Sequence, residues 1–168
     1  MIYYILTVII VSASLLFIGT KIVLSAINTI SFKESLESVG LPIITIKQNN
    51  FDMHFVVDTG STFSLINEQV CKYIKFSPIS KKATIIGIDG VPKIVSSIKI
   101  RLNLNGNICE EVFQVTDMSA SMKDIEEKLC IPIHGILGNS FMQKYKFVLD
   151  FNKKALYYKK NKKVKAFF

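Results

Sequence analysis

The chain has 168 residues, 49% of them hydrophobic and 20% charged, which is enough for one ordinary hydrophobic core and an additional segment. Its formal net charge of +8 is concentrated at the C-terminal end, where seven of the 21 Lys and Arg residues follow Asp150, the last acid. The remaining 14 basic residues nearly balance the 13 acids, and only one of them is Arg, so the composition argues against a nucleic-acid-binding protein.

The first 30 residues are expected to anchor the chain in a membrane. Residues 2–20 include no charged side chain, and 19 helical residues at about 1.5 Å each span roughly 28 Å, close to the thickness of the hydrocarbon core. Lys21 ends this run, and residues 22–30 prolong the helix or lie at the interface. A cleaved signal peptide is the alternative, but it would have a basic n-region and an apolar stretch of only about 7–15 residues.

Two observations favour a cytoplasmic location for the rest of the chain. Lys21 and Lys33 follow the apolar segment, whereas only the terminal amine precedes it, so the positive-inside rule places the C-terminal part in the cytoplasm. The cysteines are odd in number and lack metal-ligand spacing, which is typical of buried or inert thiols and agrees with a reducing compartment; a domain exported with free thiols is the alternative. They are Cys71, Cys109 and Cys130.

The residues after the anchor divide into a short polar linker, 31–40, a β-rich domain, 41–158, and a basic tail, 159–168. The tail either contacts an anionic leaflet beside the anchor or is a solvated lysine-rich end. Within the domain, short apolar and β-branched runs between turn residues predict strands at 41–47, 51–57, 63–66, 84–88, 91–97, 98–104, 112–116, 146–151 and 155–158.

Three short helices are predicted between these strands. Asn67 is expected to cap the first of them. In residues 119–130 apolar side chains recur at helical spacing behind a cap at Ser119. The third helix is expected at residues 140–145, directly after a Gly-Asn turn.

Three motifs carry the most specific information about chemistry. The apolar strand Phe55-Val56-Val57 leads directly into Asp58-Thr59-Gly60-Ser61, so that one acid stands at a strand end before a tight turn. A glycine-bearing hairpin follows at residues 85–91, where Asp89-Gly90 is a typical tight turn. An apolar-apolar-Gly turn comes last, before the third helix. In this order the motifs resemble those of the retropepsin-like family of single-lobe aspartic peptidases, and the likeness extends over residues 41–158.

The resemblance implies a mainly β fold, a closed single-lobe barrel of the acid-protease type with short helices, here preceded by one N-terminal transmembrane helix. Asp58 would be the catalytic residue, and its loop would be supported by Thr59, Gly60 and Ser61. The flap over the substrate would be formed by Ile85, Ile86, Gly87, Ile88, Asp89, Gly90 and Val91. The apolar-Gly turn would be formed by Ile136, Leu137 and Gly138.

The single Asp-Thr-Gly in the sequence determines the expected mechanism. Peptide hydrolysis without a metal needs one group that takes a proton from water and another that donates one. In aspartic peptidases as a class, two carboxylates about 3 Å apart share one proton and do both. The resemblance therefore implies a homodimer in which Asp58 of two protomers activates water. It implies no metal or cofactor, and a peptide or protein substrate bound as an extended strand.

Two other classes of function stay open at this stage. The domain would be a catalytically silent binding or dimerisation module at the membrane if it kept the fold without turnover, although such a module has no chemical need for Asp58. A purely structural membrane protein would explain the anchor and leave the three motifs coincidental. His54 and His134 have no Ser or Cys at nucleophile spacing, so we expect them to be structural or exposed.

Overall fold

The computed structural model describes residues 27–87 and 90–159, which form a mainly β fold with short helices. The strands in chain order are β1 (Ile27–Ser31), β2 (Ile43–Gln48), β3 (Phe51–Val57), β4 (Ser64–Asn67), β5 (Phe76–Ile86), β6 (Pro92–Leu104), β7 (Asn107–Thr116), β8 (Gly135–Leu137), β9 (Val148–Asp150) and β10 (Ala155–Lys159). The α-helices are α1 (Lys33–Val39), α2 (Ser119–Leu129) and α3 (Asn139–Tyr145), and a 3-10 helix is formed by Glu68–Lys72.

Six strands close into a barrel in the order β2-β3-β8-β4-β7-β6, because β6 also pairs with β2 where Lys47 lies opposite Asn103. β5 continues the sheet beyond β6 and lies at its end. Closure pairs backbone groups that an open sheet would leave at its edges. Alternate side chains fill the interior, where Phe55, Leu102 and Phe113 are fully buried. The expected closed barrel is therefore the fold of the domain.

A second, smaller apolar cluster lies on the opposite face of β3, under α2. Successive strand residues point to opposite faces, so Val56 leaves the barrel interior that Phe55 occupies and packs with Met118, Met122 and Ile133. The helix predicted at residues 119–130 is thus confirmed, and it covers the outside of the strand that leads to Asp58.

A separate three-stranded antiparallel sheet has the order β1-β10-β9. Phe32, directly after β1, is 2% exposed, and its N–H donates to the carbonyl oxygen of Lys154 at 3.0 Å. The segment 31–40, which we expected to be a linker, therefore contains a helix packed on the domain. Residues 27–30, expected to end the anchor, lie in β1.

The rest of the predicted anchor and the tail beyond residue 159 lie outside the described residues. Within residues 27–87 and 90–159, no helix combines the length and the apolar character needed to span a membrane. The anchor and the orientation of the chain stay predictions.

The hairpin of β5 and β6 differs most from the expected strands. We predicted three strands within residues 84–104, whereas the structure has the end of β5 and one continuous strand, β6. β5 also begins at Phe76, eight residues before the predicted start at residue 84. The side chains of residues 76–83 are mostly exposed and show no alternation, so their sequence does not indicate a strand. A register shift between Ile79 and Ala83 interrupts the pairing, and irregularities of this kind bend a hairpin.

The other short elements agree more closely with the sequence. The strands predicted at β2, β3, β4, β9 and β10 are confirmed, and their ends agree within two residues. Asn67 caps the 3-10 helix, since its side chain accepts the N–H of Gln69 at 3.4 Å. The predicted Ser cap of α2 is wrong: Ser119 is the first helical residue, and the carboxylate of Asp117 accepts its N–H at 3.0 Å.

Candidate active site

Asp58 directly follows the last residue of β3, where this strand lies beside β8. The two strands are parallel, with Val57 opposite Leu137, and β4 pairs with β8 on its other side. The N–H of Asp58 donates to the carbonyl oxygen of Leu137 at 3.0 Å. Strand pairing thus brings together two motifs that lie far apart in the sequence, the acid and the Leu-Gly turn.

The Asp58 loop, residues 58–61, is a tight turn that holds its own acid. The N–H of Gly60 donates to Oδ1 of Asp58 at 2.9 Å, and the N–H of Ser61 donates to the Asp58 carbonyl oxygen at 3.3 Å. The hydroxyl of Ser61 donates to the carbonyl oxygen of Phe63 at 2.8 Å, and this bond holds the backbone directly after the loop. Asp58 is half-buried and Thr59 is exposed. The carboxylate is therefore oriented by the backbone yet reached from solvent.

The Gly138 turn, residues 136–138, packs directly against this loop. After it, the N–H of Asn139 donates to the carbonyl oxygen of Ser61 at 2.8 Å. A Cβ atom at position 138 would lie only 2.3 Å from the carbonyl oxygen of Phe63. Such a distance is not possible for any residue with a side chain, so the close approach of the two segments requires glycine here.

The hairpin that we predicted to be a flap is present at the tip of β5 and β6. The carbonyl oxygen of Gly87 accepts the N–H of Gly90 at 3.0 Å, and Gly90 has a φ of +70°, a conformation that favours glycine. Ile86 and Val91 are exposed apolar side chains on the two arms. Ile88 and Asp89 lie outside the described residues. The role of this hairpin as a cover for the substrate stays a prediction.

The match to a known family extends over all three motifs. Residues 44–141, more than half of the chain, match the sequence model of a family described as aspartyl protease. The chain belongs to this family. A comparison with curated proteins found no match. Among solved structures, the chain is similar to the retroviral protease-like domain of Ddi1 from Leishmania major, at 16% sequence identity and a TM-score of 0.45, over 69% of this chain and 83% of that one.

A buried acid of this aspartyl protease domain was not predicted from the sequence. Glu111 of β7 is 4% exposed, and its Oε1 accepts the hydroxyl of Ser64 at 3.1 Å and that of Ser140 at 3.2 Å. Its Oε2 lies 3.5 Å from Nζ of Lys144. Burial raises the pKa of Glu111, and the nearby Lys144 opposes this shift without cancelling it.

The alternation of β7 indicates this acid in the sequence, although Glu111 belongs to none of the three motifs. Cys109 and Phe113 are buried, and every second residue of a strand points to the same face. Glu111 lies between them on that face, whereas its neighbour Glu110 is exposed and pairs with Arg101 at 3.0 Å. An acid in register with two core residues was therefore detectable before the structure.

The two histidines lie away from Asp58, at the other end of the β3 and β8 pair. The N–H of His54 donates to Nδ1 of His134 at 2.9 Å, and the N–H of His134 donates to the carbonyl oxygen of His54 at 2.8 Å. Nδ1 of His54 is 2.9 Å from Oγ1 of Thr45. His134 is buried, and its burial, together with the nearby His54, lowers its pKa to about 4. These contacts are structural.

Acidification is expected to destabilise the domain through His134. Its folded-state pKa of about 4 lies below the ordinary value of 6.5, so the unfolded chain binds this proton first as the pH falls. The stabilisation is complete above about pH 6.5 and is lost by about pH 4, and it amounts to roughly 2–3 kcal/mol. The measurement is the free energy of unfolding in urea from pH 7 to pH 4, compared between wild type and His134→Gln. Equal pH slopes for the two proteins would contradict this assignment.

Proposed function

We propose that this chain is a membrane-anchored aspartic endopeptidase that hydrolyses peptide bonds with water activated between Asp58 of two protomers. The observation that carries the proposal is the position of Asp58. Asp58 lies where the Asp58 loop contacts the Gly138 turn, and its Oδ1 accepts the N–H of Gly60 at 2.9 Å. Membership of the aspartyl protease family supports the same chemistry.

The reaction needs both carboxylates, which carry one proton between them before the reaction and one proton after it. The ionised carboxylate takes a proton from water, whose oxygen attacks the carbonyl carbon of the peptide, while the protonated one donates its proton to the carbonyl oxygen. In the resulting tetrahedral intermediate the C–N bond breaks as the nitrogen receives a proton from the pair. One hydroxyl of the intermediate returns its proton, so that a carboxylic acid and an amine leave. The apparent titration of such a site belongs to the pair.

The second carboxylate would come from a second copy of the chain, because the sequence has one Asp-Thr-Gly. Thr59 and Gly60 are exposed, which leaves this loop accessible to a two-fold-related partner. β10 already has β1 on one side and β9 on the other, so terminal-strand exchange between protomers would require one of these pairs to open. We propose that the main contact between protomers lies at the two Asp58 loops.

The substrate would lie as an extended strand between the Asp58 loops and the flap hairpins. An extended peptide pairs its backbone with a neighbouring strand and directs alternate side chains into pockets. Ile86 and Val91 are exposed on the arms of the hairpin, and apolar cover of this kind favours apolar residues beside the scissile bond. Closure of the hairpin would also exclude bulk water during the reaction.

The membrane would contribute to assembly of the active pair. β1 begins at Ile27, close after the apolar segment that we interpret as the anchor, so the barrel would stand close to the bilayer. Two anchored protomers share a thin layer, which raises their effective concentration and offsets a weak interface. Lys21 and Lys33 favour the cytoplasmic side.

The test is digestion of a diverse peptide mixture by the full chain in detergent micelles, with the products identified by mass spectrometry. We expect cleavage at bonds flanked by apolar residues, unaffected by a metal chelator and blocked by a peptide that carries a tetrahedral hydroxyl in place of the scissile carbonyl. An absence of cleavage at protein concentrations where the chain is dimeric would contradict the proposal and favour the binding module.

A further inference from the structure

We propose that Glu111 is a positioning residue that holds the Gly138 turn, and through it Asp58, in the geometry needed for catalysis. Glu111 is buried on β7, and its carboxylate accepts hydrogen bonds from β4, which pairs with β8 before the Gly138 turn, and from α3, which begins after it. The inference rests on the proposed function, because it assigns Glu111 a role in the reaction at Asp58.

The contacts that link Glu111 to Asp58 begin with two serine hydroxyl groups, which both donate to one carboxylate oxygen of Glu111. Oε1 of Glu111 accepts from Oγ of Ser64 on β4 at 3.1 Å and from Oγ of Ser140 on α3 at 3.2 Å. β7 pairs with β4, but α3 is a helix that begins after the Gly138 turn. The carboxylate therefore ties together two elements that enclose this turn. Hydrogen bonds to a charged acceptor are stronger than neutral ones, which suits this purpose.

The second step runs from Ser64 to the backbone of the turn. The same hydroxyl that donates to Glu111 accepts the N–H of Gly138 at 3.2 Å. Ser64 is completely buried, so water does not compete for either bond. Because the hydroxyl proton is committed to the carboxylate, a lone pair of Oγ is directed to the Gly138 amide.

The third step runs from the turn to the catalytic acid. The carbonyl oxygen of Leu137, the residue before Gly138, accepts the N–H of Asp58 at 3.0 Å. The N–H of Asn139, the residue after it, donates to the carbonyl oxygen of Ser61 at 2.8 Å. A shift of the Gly138 turn would thus move both ends of the Asp58 loop. A displacement near 1 Å at a reacting group costs about 10²-fold in rate.

Lys144 stabilises the negative charge of the buried Glu111 but does not belong to the hydrogen bonds that link Glu111 to Asp58. Its Nζ is 3.5 Å from Oε2 of Glu111, the oxygen that the two serines do not use, and its side chain is half-exposed. A buried carboxylate without a cationic neighbour is costly. The two oxygens of Glu111 therefore have separate tasks, charge compensation at Oε2 and positioning at Oε1.

The division of tasks predicts different results for two substitutions. Glu111→Leu removes the acceptor oxygens but fills most of the same space, whereas Glu111→Gln keeps an oxygen for the serines and loses only the charge. We expect Glu111→Leu to lower kcat by about 10–100-fold with KM changed less than about twofold. Glu111→Gln should restore kcat to within about threefold of wild type. Glu110→Gln, one residue away on the exposed face, is the matched control and should match wild type.

A second readout, amide hydrogen exchange, separates positioning from general stability. In Glu111→Leu the amides of Gly138 and Asp58 should exchange at least about tenfold faster, while that of Ile46 in β2, a strand that does not pair with β7, should be unchanged. Wild-type kcat together with wild-type exchange in Glu111→Leu would overturn the inference, as would equal acceleration at all three amides. If Glu111→Leu does not fold, Ser64→Ala is used in its place, because it removes the hydroxyl that joins Glu111 to the Gly138 amide. The same changes in kcat and in amide exchange are then expected.

These experiments also distinguish this inference from the proposed function. If wild type cleaves no peptide, the proposed function fails, and the exchange rates alone decide whether Glu111 holds the turn. If wild type cleaves peptides and Glu111→Leu does so equally well, the peptidase assignment stands and the positioning role is wrong.

Discussion

Replacing Asp58 with Asn is expected to abolish peptide cleavage, with kcat lowered by about 10³-fold. An amide cannot take a proton from water, and in a symmetric pair the substitution removes both carboxylates at once. The fold should be unaffected, because Oδ1 of Asn can still accept the Gly60 amide that Oδ1 of Asp58 now accepts at 2.9 Å. The measurement is the initial rate of cleavage of one identified peptide, with thermal unfolding recorded for the same preparations.

Asp52→Asn is the matched control for this experiment. Asp52 lies on the same strand, β3, but is exposed, and its carboxylate is 3.4 Å from Nζ of Lys47. An exposed ion pair of this kind contributes at most about 1 kcal/mol, so the control should keep wild-type activity. Equal cleavage by Asp58→Asn and Asp52→Asn would show that Asp58 is not the catalytic acid.

Replacing Gly138 with Ala is expected to destabilise the fold strongly, with the free energy of unfolding lowered by about 3 kcal/mol or more. The new Cβ would be 2.3 Å from the carbonyl oxygen of Phe63 and 2.9 Å from that of Ser61, and both are backbone atoms that cannot rotate away. The Gly138 amide is also bonded to Ser64, which opposes a shift of the turn. The free energy of unfolding in guanidinium chloride measures the effect.

Gly106→Ala separates this clash from ordinary glycine strain. Gly106 has a φ of +87°, and a Cβ atom added there would meet open space, so its substitution costs about 1–2 kcal/mol from backbone conformation alone. A loss for Gly138→Ala no larger than that for Gly106→Ala would contradict the close approach of the Gly138 turn to the carbonyl oxygen of Phe63.

The strand that leads to Asp58 was predictable because both of its faces are buried. Phe55 points into the barrel and Val56 points to the cluster under α2, so the sequence has an unbroken apolar run in place of alternation. In the Asp-Thr-Gly that follows, the N–H of Gly60 donates to Oδ1 of Asp58, and a Cβ atom at position 60 would lie 3.2 Å from that oxygen, so this turn has a recognisable sequence. Where local chemistry determines structure in this way, both the element and its end are predictable from the sequence.

The terminal sheet and α1 were not predictable from local pattern. The apolar residues of β1 continue those of residues 22–26, and their partner strand, β10, lies near the other end of the chain. Phe32 looks like an isolated apolar residue in a polar stretch, although it is buried in the main core. Pairing between the two ends of the chain is information that no single segment contains.

The support of the site was predictable in part. The alternation of Cys109, Glu111 and Phe113 marks a buried acid, but its partners Ser64 and Ser140 are ordinary residues at unremarkable spacing. Only the parallel pairing of β4 with β7 and the position of α3 bring the three together. The Asp-Thr-Gly motif can thus be found from the sequence more readily than the buried residues that contact the turn beside it.

The central claim is that one catalytic site is shared by two chains, and mixed protomers test it most directly. Wild-type protein at a fixed concentration is mixed with increasing Asp58→Asn protein, and cleavage is measured with substrate well above KM so that the variant does not compete for it. With random pairing, a ninefold excess of the variant should lower the activity per wild-type chain to about one tenth, because most wild-type chains then have an inactive partner. Activity that stays constant as the variant is added would contradict the shared site.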